Sequence, residues 1–149
     1  MYLRNAVGGH VVLGLVGLFA FVSGCSQKIE PQEPPLGYAR IQKAASACRQ
    51  FAASHKRQPS SVDELKAWAK KLPKTQLDYM GIENLDEAFI SPRDQQPYVI
   101  RGGSQKPGPM MIQMYEKTGE GGKRYVATNT GSILELEEQA FNQFMSNTR

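Results

Sequence analysis

The side chains best suited to chemistry are two histidines, His10 and His55, two cysteines, Cys25 and Cys48, and three adjacent carboxylate pairs, Asp63/Glu64, Asp86/Glu87 and Glu137/Glu138. A Ser–His–acid triad needs an imidazole that accepts a proton. His55 is followed by Lys56 and Arg57, whose charge disfavours the imidazolium such a base must become, so it reads as a surface or helix-end histidine. The chain has no G-x-S-x-G turn to present a nucleophilic serine. A structural zinc site takes about four Cys or His ligands, and beyond Cys25 the chain offers only Cys48 and His55. Neighbouring carboxylates on a helix point in different directions. Each pair therefore reads as helix-start or solvating charge, not as a paired acid and base. Gly102-Gly103-Ser104-Gln105-Lys106-Pro107-Gly108 lacks the G-K-[ST] ending of a phosphate loop and reads as a flexible loop. Met110, Met111 and Met114 read as core filler, the alternative being an adaptable surface or a soft-metal site. These residues point to no enzyme, no metal and no cofactor.

The amino-terminal segment is more specific. Arg4 is the only charged side chain before Lys28, and Val11 to Phe21 is an unbroken apolar run. That length suits a signal-peptide core and falls short of the roughly 20 apolar residues a spanning helix needs. The run ends in Val22-Ser23-Gly24-Cys25, which resembles the lipobox of bacterial lipoproteins. The resemblance implies cleavage between Gly24 and Cys25, a covalent lipid on the Cys25 thiol as the only attached group, and a domain on the non-cytoplasmic side. Ser26, where enterobacterial inner-membrane lipoproteins carry Asp, implies the outer membrane if the source is Gram-negative. The alternative is an uncleaved anchor in which Ala6 to Gly9 extend the apolar run and Cys25 is incidental.

The elements that would carry these residues follow from pattern. Residues 1–24 are expected as a signal peptide, and 25–35 as the lipidated cysteine with a Pro-rich tether (Gln27 to Pro35). Residues 36–149 are expected as one α+β domain. With Cys25 lipidated, Cys48 has no intramolecular partner; it reads as a small apolar residue on a helix, the alternative being a reactive or intermolecular thiol. Ile41, Ala44, Ala45, Cys48, Phe51 and Ala52 recur at three- and four-residue steps, predicting a long amphipathic helix ending near His55. Ser61-Val62-Asp63-Glu64 has the form of a capping box, and Leu65, Trp68, Ala69 and Leu72 line the short helix it would start, stopped by Pro73. Residues 74–97 give no clear period beyond a turn at Arg93-Asp94-Gln95-Gln96 between Pro92 and Pro97.

Strands are expected at Tyr98 to Ile100, at Met110 to Tyr115 with Met110, Ile112 and Met114 on one side, at Arg124 to Thr128 and at Ser132 to Leu136. The last two are joined by an Asn129-Thr130-Gly131 hairpin. Gly119 to Gly122 supplies another turn, the last strand has apolar residues on both faces, and Glu137 to Met145 closes the chain as a helix. The fold class is α+β: an N-terminal helix with a short second helix on an antiparallel sheet of three or four strands, then a closing helix.

Gln58-Pro59-Ser60-Ser61 after a long helix, followed by Ser91-Pro92-Arg93-Asp94-Gln95-Gln96-Pro97-Tyr98, resembles the layout of major type II secretion pseudopilins. The resemblance implies a helix packed on a small antiparallel sheet. It covers Leu36 to Leu136. The chain departs from the family at its start, where Gly9 precedes His10-Val11-Val12-Leu13-Gly14 without an acidic residue. It departs again at residues 119–136, which hold Glu120 and Glu135 but no Asp, so the family's calcium site is not implied. What it implies is a pseudopilin-like sheet domain on a lipid anchor.

Charge is uneven: residues 26–77 hold ten Lys/Arg against four Asp/Glu, and 78–149 hold seven against ten. A candidate patch for an anionic partner is Lys66, Lys70, Lys71 and Lys74; the plainer reading is a solvated helix face. No basic–aromatic pattern points to nucleic acid. The function expected is a membrane-anchored, non-enzymatic interaction module with an envelope protein partner, in a secretion- or pilus-like assembly. The alternative is a binding module for an anionic cell-wall or surface polymer.

Overall fold

The long helix α1 (Leu36–His55) buries Ile41, Ala44, Ala45, Ala47, Cys48 and Phe51 along one face, the stripe its sequence period predicts. This computed structural model describes residues 32–102 and 111–146. Cys25, the signal segment, most of the tether, Met110 and the stretch 103–110 lie outside the described residues. The described residues from 33 onward fall in one compact unit. α1 begins directly after Pro35, whose backbone is extended, and ends where Lys56 turns left-handed at φ 57°. Its alanines keep the buried face flat, so the helix lies close against the sheet.

α2 (Val62–Ala69) starts as a shifted capping box. Ser61 Oγ accepts the Glu64 amide at 3.1 Å, but the Glu64 carboxylate turns to the Ser60 amide at 2.6 Å instead of to Ser61. Two helices that the sequence did not reveal follow: α3 (Lys74–Tyr79) and α4 (Leu85–Ala88). They are six and four residues long, too short to show a 3.6-residue period. α2 ends at Ala69, short of the Leu72 expected, with a turn through residues 70–72; Pro73 then starts α3, whose Gln76 and Leu77 amides donate to its carbonyl. Asn84 caps α4 by accepting the Asp86 amide at 2.9 Å.

Strands β1 (Val99–Ile100), β2 (Ile112–Tyr115), β3 (Lys123–Thr128) and β4 (Ile133–Glu137) form an antiparallel sheet in the order β1-β2-β3-β4. The Asn129–Gly131 hairpin is present, with the Gly131 amide donating to Thr128 O at 3.0 Å and Gly131 at φ 92°. α1 covers one face of the sheet with α2 packed against it, and α5 (Glu138–Ser146) follows β4 at once and packs on the other. Alternation along β3 sends Tyr125 and Ala127 toward α1, and Val126 toward α5. β4 likewise sends Ile133 to the first face, and Leu134 and Leu136 to the second, so both faces are apolar as expected.

The expectation for β2 needs correction. Ile112 pairs with Thr128 and Met114 with Ala127, a one-residue slip characteristic of a β-bulge. Ile112 therefore packs beneath α5 while Met114 enters the α1 core. The two do not share a side, because the bulge breaks the two-residue alternation. Among the described residues no helix is long and apolar enough to cross a membrane.

Candidate functional site

The densest polar cluster is built on the Ser91–Tyr98 turn. Ile90 and Pro97 bridge its ends, and the Ser91 amide donates to Gln96 O at 2.9 Å. The closed turn throws Arg93 inward, where its side chain is only 12 % exposed. There it meets three carboxylates: Glu135 at 2.9 Å, Glu116 at 3.4 Å and Glu120 at 3.4 Å. Its Nη1 reaches Glu116 and Glu135 as ion pairs and not as aligned hydrogen bonds. Nη2 donates to the carbonyls of Glu120 and Lys123, and the guanidinium lies 4.4 Å from the Tyr125 ring centroid. Glu116 is fully buried, and its carboxylate accepts from Ser91 Oγ at 2.6 Å and from the Tyr125 amide at 2.8 Å. Gly37 completes the cluster: a Cβ there would sit 2.9 Å from Arg93 Cδ, so only glycine lets the first turn of α1 lie on the guanidinium. Charges in this cluster are matched, while Arg93 Nη1 and the buried Tyr98 hydroxyl of the same turn make no hydrogen bond among the described residues. Its chemistry is that of a clamp joining the 91–98 turn, β3 and β4.

Asp94 holds the next loop. Its Oδ2 accepts from the Thr118 amide, the Thr118 hydroxyl and the Gly119 amide, and Oδ1 accepts from Gln96 N at 3.1 Å. Burial alone raises the carboxyl, but these hydrogen bonds outweigh it and leave Asp94 below the usual aspartate range. Gly119, at φ 69°, has no room for a side chain: a Cβ would fall 2.1 Å from Lys123 O. The folded carboxyl titrates lower than the unfolded one near 3.9. Its stabilisation is therefore complete above that value and is lost as pH falls through the folded value. Urea midpoints should drop as pH falls below about 4, and the drop should be shallower for Asp94→Asn. Equal acid slopes for the two chains would remove Asp94 from this account.

The adjacent carboxylates separate as expected. Asp86 pairs with Lys66 at 2.6 Å and Glu87 with Arg40 at 3.3 Å. Glu137 pairs with Lys123 at 3.4 Å and Glu138 with Arg124. Glu64 is held by Arg57 and by Ser60, which lower its carboxyl to about 2. Glu120 and Glu135, weighed above as calcium ligands, are tied to Arg93 instead. Among the described residues no group of three His, Cys, Asp or Glu is placed to hold a metal.

Cys48 is fully buried, and burial pushes its thiol up to about 12, with Arg49 only partly offsetting this. The folded Cys25→Ser chain should therefore be inert to an aromatic disulfide reagent near pH 8, and react once urea unfolds it. Reaction of the native fold at the rate of a free thiol would contradict the burial. His55 sits at the end of α1, stacked on Phe51 with ring centroids 4.1 Å apart and edge-on to Trp68 at 6.3 Å. Its Nδ1 lies 2.8 Å from Ser54 Oγ and 3.2 Å from Phe51 O, with no carboxylate among these partners. The ring is used in packing.

The lysine patch is thinner than the sequence suggests. Lys70, Lys71 and Lys74 are exposed, but Lys66 is committed to Asp86. Residues 62–88 carry four lysines against six acidic side chains, so this surface is not basic in sum.

Two shallow depressions flank Leu36, which is 62 % exposed. One, of about 360 Å³, lies against Pro35, Gly37, Arg93 and Tyr125. The other, of about 150 Å³, lies between α1 and residues 81–88. The convergence of Arg93 on Glu116 was missed by sequence reasoning. The Ser91–Tyr98 run marked the turn, but nothing local marks Glu116 as buried. Compared with known proteins, the chain matches no family model, no curated protein and no solved structure.

Proposed function

We propose that this protein is a lipid-anchored envelope lipoprotein whose domain acts as a non-enzymatic interaction module, in a secretion- or pilus-like assembly. The observation that carries the reading is the apolar run closed by Val22-Ser23-Gly24-Cys25 and followed by a proline-rich spacer. Cleavage before Cys25 leaves the acylated cysteine as the first residue. The composition of Gln27 to Pro35 is that of a semi-rigid spacer between lipid and domain. By the same resemblance, Ser26 favours the outer membrane if the source is Gram-negative. The α+β order, a long helix before a four-stranded antiparallel sheet, is compatible with the pseudopilin-like reading taken from Gln58–Ser61 and Ser91–Tyr98.

The test is crosslinking in living cells followed by affinity capture and mass spectrometry, run on the native chain and on Cys25→Ser. Reproducible capture of one envelope complex, lost in the variant, supports an anchored interaction module. Capture of nothing beyond abundant membrane proteins overturns it and turns attention to salt-sensitive binding of an anionic polymer.

A further inference from the structure

The sheet ends in two edges of different kind. β1 is two residues long, too short to offer a ladder, while β4 runs for five residues. Shortness, proline and bulges are common guards of an open edge. β4 has no proline and pairs with β3 without a bulge, so the guard that remains is charge, at Glu135 and Glu137. Its register fixes which backbone groups are free. Thr128 N donates to Ser132 O at 2.9 Å, and Glu138 N to Gly122 O at 3.1 Å. Opposed residues of an antiparallel pair alternate between bonded and non-bonded, so in this constant register Leu134 and Leu136 also bond to β3. Ile133, Glu135 and Glu137 therefore turn their amides and carbonyls outward. Among the described residues no hydrogen bond is made to any of these groups.

Side chains decide what can pair there. Ile133, Glu135 and Glu137 rise on the α1 side, where Arg93 and Lys123 meet four carboxylates, Glu116, Glu120, Glu135 and Glu137. The excess there is negative, and the Glu135 and Glu137 side chains stay 40 % and 72 % exposed. Leu134 and Leu136 lie half-buried on the α5 side. A second copy paired antiparallel in full register would set Glu135 against its own equivalent and bring the carboxylates of both copies onto one face. Like charges directly opposed destabilise a strand pair, whereas opposite charges stabilise it.

We propose that the outer edge of β4 is a strand-acceptor site whose occupant is an extended basic segment of a partner protein. Lys or Arg stands opposite Glu135 and Glu137, and apolar residues between them lie beside Leu134 and Leu136. Main-chain bonds supply the affinity and the alternation of side chains the selectivity. This rests on the interaction-module reading and names the partner's chemistry.

The experiment uses the full chain in detergent and a short labelled peptide alternating lysine and valine. Bound peptide should slow hydrogen exchange of the Ile133, Glu135 and Glu137 amides roughly tenfold. The Leu134 and Leu136 amides, already bonded to β3, should not change. A peptide with glutamate for lysine, or with N-methyl groups on the amides that would face β4, should not bind. Glu137→Lys should weaken the lysine peptide roughly fivefold and let the glutamate peptide bind, with an unaltered urea midpoint showing that the fold is kept. No binding of the lysine peptide, or binding of the N-methylated one as tightly, overturns the proposal. So does slowing of the same three amides when the chain alone is concentrated, which would make a second copy the occupant. In cells, unchanged capture of the envelope complex from Glu137→Lys would overturn the edge as its dock and leave the interaction module standing.

Discussion

Replacing Arg93 with methionine should cost the domain roughly 3–5 kcal/mol, the usual consequence of removing one partner from a buried ion pair. For a domain of this size that is a fall in Tm of roughly 10–20 °C. The physical cause is Glu116, whose fully buried carboxylate would keep its hydrogen bonds from Ser91 and Tyr125 but lose its nearest cation. Glu120 and Glu135 would lose the same partner, and Tyr125 the guanidinium over its ring. Arg93→Lys should recover little. An ammonium cannot reach three carboxylates and two carbonyls from one position as the guanidinium does. The double variant Arg93→Met with Glu116→Gln should recover part of the loss, because the charge left unpaired is then gone. Urea unfolding of the four chains measures each step. A loss below about 1 kcal/mol for Arg93→Met would mean that the cluster behaves as an ordinary surface ion pair.

Replacing Cys25 with serine should remove the lipid and the processing together. Each buried methylene contributes about 0.8 kcal/mol, and a single acyl chain binds with only about 10⁴ M⁻¹, so the two or three chains of a lipoprotein make attachment effectively permanent. Intact mass is the direct measure. The native protein should begin at Cys25 and carry the added mass of its acyl chains, while the variant should retain residues 1–24 and carry none. Its hold on the membrane then falls to the Val11–Phe21 run, which is short of a full span, and alkaline extraction should release most of it. A native chain of full length with a free Cys25 thiol would sink the lipid-anchor reading outright.

Local signals are legible in the sequence where they span several turns or fix a tight turn. α1 has an apolar stripe spanning several turns, so its extent and its buried face were legible, including Cys48. The β3–β4 hairpin was legible because Asn129-Thr130-Gly131 supplies the positive φ its turn requires. Asp86 and Glu87 go to separate cations because neighbouring side chains on a helix diverge, and Glu137 and Glu138 because the chain passes from β4 into α5 between them. α3 and α4 escaped because one or two turns cannot display a period. The side of Ile112 was misread because a bulge, invisible in an alternating pattern, reverses the faces of β2. Lys66 was read as part of a free patch, yet α4 brings Asp86 against it from twenty residues downstream.

What the sequence by itself determined is what depends on a few neighbouring residues. Helical and strand periods carry the α+β class, and the prolines and glycines place the turns. What only the tertiary structure decided is which distant side chains meet. Arg93 and Glu116 lie twenty-three positions apart, and their pairing exists only once a closed turn, a glycine in α1 and two strands are in place. The apolar strip beneath α5 is of the same kind. A face becomes a surface when separate strands set their side chains beside one another, and that adjacency is a property of register, which no single segment contains.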